Sequence, residues 1–352
     1  MDVFGMPSHN ERLRTLLDST KQKTENATTQ QCLSSVIEDA IAFDGPIEFN
    51  NTKVWLLSGL CLLVACFFGY LIAPKLNLDF IFYFVRTFNQ CSPIIFALIM
   101  CGFFMWLGLT RNSRIDALSD EIYRKDLIVD AGMIPQKING VEHAKKMAKV
   151  LNDFQRGNHY WNTEKLFNAN FSGSEYSFAY QYYCFHYVTE RREVVTSTDS
   201  EGRTTTRTVM TYVHSRRYGI LFDFSFTKEI EIKTGTAIKS QQSFTPASIE
   251  FNKRYWVKCK DDKRASKFLK PTVVLAFEDL DEQLKGVHFE VNNHGKACLS
   301  TAVEVFENTR KFGLRQPQQF LSEINEKNEV NRLNELLLFA HKLMTLTDNN
   351  FK

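Results

Sequence analysis

Two long uncharged apolar stretches near the N-terminus constrain this chain more than any other feature of its sequence. The first, VWLLSGLCLLVACFFGYLIA, covers residues 54–73, and the second, CSPIIFALIMCGFFMWLGL, covers residues 91–109. A helix of about 20 apolar residues spans the roughly 30 Å hydrocarbon core of a bilayer. Both stretches have about that length, so we predict two transmembrane helices. Two buried core helices of a soluble domain are the alternative.

The charged residues around these stretches predict their orientation. Lysine and arginine are enriched on the cytoplasmic side of transmembrane helices. The short connection between the stretches holds only Lys75 and Arg86. The basic residues on the side of the two termini are Lys53, Arg111, Arg114, Arg124 and Lys125. We therefore predict a hairpin with both termini in the cytoplasm. The aromatic connection is expected in the headgroup layer of the far face, with a partial entry into the bilayer as the alternative.

Composition and motifs narrow the chemistry. The net charge is +3, which indicates no bias of the whole chain toward nucleic acid. The eight cysteines have no metal-ligand spacing, so we interpret them as small buried apolar side chains in a reducing compartment. No Walker, GxGxxG, HExxH, GxSxG or CxxC motif is present. We predict no catalytic residue, no cofactor and no metal site, and interpret His288 and His294 as surface residues.

Changes in hydrophobic period divide the chain, and we predict an α+β fold from them. Its parts are a polar helical segment (1–50), the transmembrane hairpin (51–110), stalk and packing helices (111–160), an α+β domain with an antiparallel sheet and flanking helices (161–312), and a C-terminal amphipathic helix (313–352). That last helix either packs on the domain or pairs with a partner helix. GVEHAKKMAKVLNDFQRG, residues 140–157, is predicted to form one helix on the core of the domain.

A period of two from Phe171 onward predicts the sheet. In RRYGILFDFSF, Ile220 and Phe222 share one predicted face, and Leu221 and Asp223 share the other. Asp223, among aromatic residues, is a candidate carboxylate with a shifted pKa. A partly solvated sheet face is the alternative. The threonine- and valine-rich residues 189–215, with TDSEG as a turn, predict a long two-stranded ribbon.

The remaining segments have local signals. IEFNKRYWVKC, residues 249–259, is predicted to be a strand, and Asp262 to cap the helix that follows. Pro271 starts another helix. NNHGK between VHFEV and ACLST predicts a β-hairpin.

Three stretches resemble a known family. They are YGILFDFSF, SIEFNKRYWVKCKDDKRASKFLKPTVVLAFEDL and VHFEVNNHGKACLS. With the two preceding apolar stretches, they resemble the bacterial membrane family catalogued as domain of unknown function 3137, over roughly residues 50–310. The matching positions are Glu250, Phe251, Tyr255, Val257, Asp261, Ala265, Leu269 and Pro271. The linker before the sheet and LKP in place of LTP depart from the family. The resemblance implies a bacterial inner-membrane protein and assigns no active site.

The region 253–270 is the most basic part of the chain. Its cations are Lys253, Arg254, Lys258, Lys260, Lys263, Arg264, Lys267 and Lys270. We interpret it as a solvated surface, with contact to anionic lipid headgroups as the alternative. Equal binding to neutral and anionic vesicles would contradict lipid contact. We expect no nucleic acid, although Tyr255 and Trp256 are potential stacking groups.

Without a catalytic motif, our leading hypothesis is a non-enzymatic adapter or assembly platform anchored in the membrane, with a protein partner or a second copy of the chain. An enzyme acting on lipid or envelope substrates, with its site on the sheet face around Asp223, is the alternative. An oligomeric transport component is a weaker one, because two uncharged helices offer no ion path in one chain.

Overall fold

The computed structural model describes residues 7–72, 84–198, 204–235, 243–280, 284–307 and 309–347. Over these ranges it is α+β, with one eight-stranded antiparallel sheet, which confirms the predicted class. The chain forms two compact units. The first contains residues 1–126 and 308–328, and the second contains residues 127–307 and 329–352.

Helices and strands alternate irregularly along the chain. The helices are α1 (His9–Asn26), α2 (Gln30–Ile41), α3 (Thr52–Ile72), α4 (Phe84–Asp130), α5 (Gly140–Ala148), α6 (Ile249–Arg254), α7 (Asp262–Phe268), α8 (Pro271–Glu278), α9 (Pro317–Asn325) and α10 (Asn331–Thr347), with a 3₁₀ helix at Asn152–Gln155. The strands are β1 (Ile134–Pro135), β2 (Tyr160–Ser172), β3 (Ser177–Thr198), β4 (Thr204–Asp223), β5 (Ile230–Thr234), β6 (Tyr255–Cys259), β7 (His288–Val291) and β8 (Lys296–Thr301).

In the first unit, α1 and α2 form the helical segment predicted at the N-terminus. Ser8 and Glu11 form a capping box at the N-terminus of α1, and the side chain of Thr29 caps the N-terminus of α2. Leucines of α1 and aliphatic residues of α2 lie on buried stripes, and α2 packs against both α1 and α9. These helices end before the first apolar stretch begins.

Helices α3 and α4 contain the two apolar stretches. Thr52–Tyr70 and Ile94–Asp130 are long and apolar enough to cross a membrane, with mean hydropathies of 1.8 and 1.9. Only 17% and 11% of their apolar windows are buried in the protein, which is unlike the core helices of a soluble domain. The predicted stretch 91–109 lies inside the longer α4, which continues as the predicted stalk. Most of the predicted connection lies outside the described residues.

Contacts between α3 and α4 use small and polar groups. The Asn51 side chain donates to the carbonyl oxygen of Gly108 at 3.0 Å, and the Ser58 hydroxyl donates to that of Cys101 at 3.3 Å. A Cβ on Gly108 would lie 3.4 Å from the ring of Trp55, so this glycine permits the close approach. A Cβ on Gly102, in the same apolar stretch, would meet no atom within 4 Å.

The second unit is built on the sheet, in the order β1-β2-β3-β4-β8-β7-β5-β6 with every neighbouring pair antiparallel. Ile220, Leu221 and Phe222 are all fully buried. The expected division of β4 into a buried and a wet face is therefore wrong at these positions. Leu221 belongs to a core cluster with residues of α5 and the 3₁₀ helix, so protein covers both faces there.

That core cluster confirms the packing predicted for residues 140–157 and corrects their shape. Ala144, Ala148, Leu151 and Phe154 are buried together, as the apolar stripe predicted. The helix, however, ends at Ala148 and resumes as the 3₁₀ helix. After the break, Asp153 faces the sheet and accepts hydrogen bonds from the hydroxyls of Tyr183 and Ser300.

Two other local predictions need correction, and a third is confirmed. Residues 249–259 form α6 and then β6, because Ser248 caps a helical turn before the strand. The cap of α7 is Asp261, whose side chain accepts from two backbone N–H groups, and not Asp262. The hairpin around NNHGK is confirmed, with Gly295 at φ +79° in its turn.

The single C-terminal helix predicted for residues 313–352 is two helices in different units. Helix α9 ends at Asn325, and the Asn328 side chain donates to the carbonyl oxygens of Glu323 and Glu326 in the break. Helix α10 packs on the domain, the first of the two predicted alternatives, since Phe339 lies 4.9 Å from the ring of Phe277.

We predict that Phe154→Ala destabilises the protein by about 3–5 kcal/mol, because the ring is fully buried and leaves a cavity. Its centroid lies 4.8 Å from those of Tyr183 and Phe185. Guanidinium unfolding in detergent, followed by near-ultraviolet circular dichroism, measures the change. Leu338→Ala, at an exposed position of α10, is the control and is expected to cost less than about 0.5 kcal/mol. Equal losses would contradict the packing.

Candidate functional site: a buried charge cluster

Charged side chains meet inside the second unit on one face of the sheet. Glu231 on β5 lies directly across from Glu290 on β7, and His288, two residues earlier, shares the face of Glu290. The other members are Asp153 of the 3₁₀ helix, Arg156, Arg217 of β4 and Ser300 of β8. All four acidic and imidazole side chains are buried. We call this set the charge cluster.

Asp153 is the centre of the charge cluster. Its Oδ1 accepts from His288 Nδ1 and Arg156 Nε, each at 2.7 Å, and Arg217 Nε lies at 3.4 Å. Its Oδ2 accepts from the hydroxyls of Tyr183 at 2.9 Å and Ser300 at 2.8 Å. Burial alone would raise the pKa of Asp153, but Arg217, His288 and Arg156 hold that pKa well below its usual range. The carboxylate is therefore ionised.

The contact with Asp153 defines the protonation of one nitrogen atom of the His288 ring. Ionised Asp153 can only accept, so Nδ1 of His288 carries a proton. The Arg156 Nη2 atom, 3.2 Å from Nδ1, is then a close neighbour of the ring and not its donor. Burial disfavours the charged ring, but Asp153 and Glu231 raise the pKa of His288 above its ordinary value. Nε2 faces the two glutamates.

Hydrogen bonds from the 3₁₀ helix fix the positions of Glu231 and Glu290. Glu290 accepts from the backbone N–H groups of Asn152 and Asp153, both at 2.8 Å. Glu231 Oε2 accepts from the Asn152 side chain at 2.9 Å, and its Oε1 pairs with Lys233. Burial raises the pKa of Glu290. Burial would also raise the pKa of Glu231, but His288 and Lys233 lower it to about 2. The two carboxyl groups therefore differ in proton affinity.

A surface opening of about 450 Å³ leads to these glutamates. Asn152, Glu231 and Glu290 contribute to its lining, although both glutamates are at most 5% exposed. The ionisable side chains that line it elsewhere are Lys149, Glu229, Lys258, Cys259, Lys260 and His294. A small hydrated ion or molecule in this opening would lie beside the charge cluster.

The structure separates the residues that the sequence singled out. His288 is fully buried, so its interpretation as a surface residue is wrong, whereas His294 is exposed. Asp223 has a 92% exposed side chain, pairs with Lys296 at 3.2 Å, and lines a different opening of about 300 Å³. The polar alternation in VHFEV was the one signal for the cluster, and it equally fits a wet sheet face.

Ion pairs with acidic residues offset part of the positive charge of the basic region 253–270. Lys253 pairs with Glu250, and both Lys260 and Arg264 pair with Glu229. Contact of this region with anionic lipid stays a prediction. Among the cysteines, Cys101, Cys184 and Cys298 are buried as expected, while Cys32 and Cys66 are exposed.

The described residues form an α+β protein with two helices that are long and apolar enough to cross a membrane. No protein-family model matches the chain, and no curated protein matches it either. The crystal structure of the mycobacterial trehalose monomycolate transport factor A, TtfA, is similar over 61% of this chain and 93% of its own, with 11% identity and a TM-score of 0.28. A likeness at this level assigns neither a family nor a role. The resemblance to the domain of unknown function 3137 family stays a prediction.

We predict that Asp153→Asn destabilises the protein by about 3–5 kcal/mol, because Arg217 and His288 lose their buried counter-charge. Thermal and guanidinium unfolding measure the loss. The matched control is Asp223→Asn, the same change at an exposed end of β4, which is expected to leave the free energy of unfolding unchanged. An Asp153→Asn protein as stable as the control would contradict a central role for this carboxylate.

Proposed function

We propose that this protein is a non-enzymatic adapter or assembly platform, anchored in a bacterial inner membrane by α3 and α4. Both termini and the α+β unit are then in the cytoplasm. Three observations support the anchor: the length of the two helices, the low buried fraction of their apolar windows, and the excess of lysine and arginine on the side of the termini. A soluble domain would bury such helices.

The observation that carries the adapter hypothesis is the ribbon formed by β3 and β4. Up to Val188, β3 lies between β2 and β4. From Thr189 to Thr198 its one described strand partner is β4, and these ten residues extend for about 33 Å. The outer strand edges present backbone groups that a further strand can pair with. The predicted turn at 199–203 lies outside the described residues.

Apolar side chains on the ribbon are exposed to solvent. They are Val194 at 66%, Val195 at 41%, Met210 at 39% and Tyr212 at 47% exposed. A strand edge with apolar side chains is suited to another protein chain, which would cover both the backbone groups and these side chains. A protein partner or a second copy of this chain is therefore the proposed ligand of the ribbon.

The enzyme hypothesis is the second candidate. The opening beside Asp223 contains polar side chains, including Asn168, Asn170 and Gln181, as a site for a lipid or envelope substrate requires. Asp223 is, however, solvated and paired with Lys296, whereas the pKa of a general base is usually tuned by burial. An oligomeric transport component is the weaker alternative, because it requires several copies of the two helices.

We predict that Cys32 reacts with a membrane-impermeant maleimide only after the membrane is opened. Cys32 is exposed on α2, and a hydrogen bond from Thr29 lowers its pKa, so it is a reactive reporter for the N-terminal side. Intact spheroplasts and permeabilised cells are labelled, and mass spectrometry of the peptides locates the label. Labelling of Cys32 in intact spheroplasts would contradict the orientation, and extraction of the protein by alkaline carbonate would contradict the anchor.

We predict that a photo-crosslinking amino acid at Val194 forms one discrete adduct in cells, because Val194 lies on the free part of the ribbon. The same amino acid at Leu338, exposed on α10 in the same unit, is the matched control and is expected to form none. Gel shift and mass spectrometry identify the adduct.

A shortened ribbon tests the same contact without a reactive group. Replacing residues 192–210 by Asn-Gly retains Glu190, which the Asn158 side chain holds at the ribbon base. The melting temperature is expected to stay the same while the partner or second copy is lost on size-exclusion chromatography. A protein that is monomeric and free of adducts with the intact ribbon would contradict the adapter hypothesis.

A further inference from the structure

We infer that Glu231, His288 and Glu290 form a binding site for a divalent transition-metal ion of the zinc type, with Asp153 as the positioning residue behind the histidine. One potential ligand atom from each of the three residues lies within 4.8 Å of the other two. All three residues are buried. This site goes beyond the adapter function and does not depend on it.

The spacing of these atoms fits an ion between them. His288 Nε2 lies 3.3 Å from Glu231 Oε1 and 3.9 Å from Glu290 Oε2. A tetrahedral zinc ion with bonds of roughly 2.0–2.2 Å separates its ligands by about 3.4 Å. Small rotations of the two carboxylates would therefore place all three atoms in contact with one ion. Carboxylate and imidazole groups together are ligands that zinc accepts.

The outer partners are those that a metal site needs. A histidine that binds a metal usually donates its other ring N–H to a carboxylate, which sets the tautomer and the ring orientation. His288 Nδ1 donates to Asp153 at 2.7 Å and so directs Nε2 toward the glutamates. Glu290 is held by two backbone N–H groups, and each of its oxygens keeps a second lone pair.

Incompletely satisfied atoms at the centre of the three residues are the independent observation. His288 Nε2 and Glu231 Oε1 are both buried, and neither makes a hydrogen bond within the part of the chain that the structure describes. Their contacts are the ion pair of Oε1 with Lys233 and the 3.3 Å approach of Oε1 to Nε2. Such buried polar atoms are costly unless a further group satisfies them. A metal ion would satisfy both atoms at once, since it takes a lone pair from each.

Lys233 competes with the ion for Glu231. Its ammonium group pairs with Glu231 Oε1 and lies 5.5 Å from the ring centroid of Trp256. The side chain is 22% exposed, so it can turn outward and leave the carboxylate. Without Lys233, and with His288 neutral as a metal ligand must be, three carboxylates face the two arginines, and the cluster has one net negative charge for an incoming cation. The opening of about 450 Å³ is the entry path and has room for water on the ion.

The test is a metal titration of the full-length protein in detergent after removal of metal with a chelator. Co²⁺ is the probe, because its visible absorption reports coordination number, and Zn²⁺ then displaces it. We expect one tight site per chain with the intense bands of a four- or five-coordinate ion. Absence of a saturable, Zn²⁺-displaceable Co²⁺ signal would overturn the assignment and leave His288 as the charged ring of a structural ion network.

Matched variants locate the site. His288→Gln is expected to weaken Co²⁺ binding by at least about 100-fold, the upper end of what the loss of an outer partner costs. His294→Gln changes an exposed histidine of the same opening, and His214→Gln removes an imidazole that lies 3.1 Å from His186. Both controls are expected to bind Co²⁺ as the parent protein does. Binding that survives His288→Gln, or disappears in a control, would overturn the site.

A change at Lys233 decides the case even where His288→Gln does not fold. Lys233→Gln removes the competing ammonium group and adds no clash, so we expect Co²⁺ binding roughly tenfold tighter. A purely structural network predicts unchanged or absent binding in this variant. Near-ultraviolet circular dichroism of each variant shows whether the packing of the second unit is retained.

Discussion

An ionised carboxylate with no exposed surface, that of Asp153, organises the second unit. An isolated buried charge would cost more free energy than a domain has available, so its donors must all be in place when the unit folds. Those donors come from the residue that follows the 3₁₀ helix and from β3, β4, β7 and β8. One side chain therefore joins segments that are up to 147 residues apart in the sequence.

This requirement explains two departures from simple hydrophobic patterning. The helix of residues 140–157 breaks so that its apolar stripe and Asp153 both reach the sheet. The polar residues of β7 turn inward, because their partners are inside. The same arrangement leaves His288 Nε2 directed at two carboxylates, which is the basis of the inferred metal site. A stability network and a ligand site can thus share the same residues.

Exposed apolar surface sets the second constraint. In the first unit, α3 and α4 bury little of their apolar windows within the protein, and lipid is the cover that our proposal assigns to them. In the second unit, the ribbon exposes valine, methionine and tyrosine side chains together with strand edges. Both surfaces need a covering group, but of different chemistry, and this difference underlies the proposal of a membrane anchor that carries a protein-binding element.

Local and periodic features of the sequence were sufficient for the α+β class, the apolar helices, the ribbon and the hairpin around Gly295, because each depends on neighbouring residues. They were not sufficient for the split of residues 313–352, since an apolar stripe does not show where Asn328 interrupts it. The charge cluster was invisible for a stronger reason. Asp153, Glu231 and His288 have no common motif or spacing, and a polar residue in an alternating strand is equally consistent with water or with buried partners. The antiparallel pairing of β5 with β7, and the 3₁₀ helix packed over them, decided that these side chains face one another, because only tertiary contacts bring distant charges within hydrogen-bonding distance.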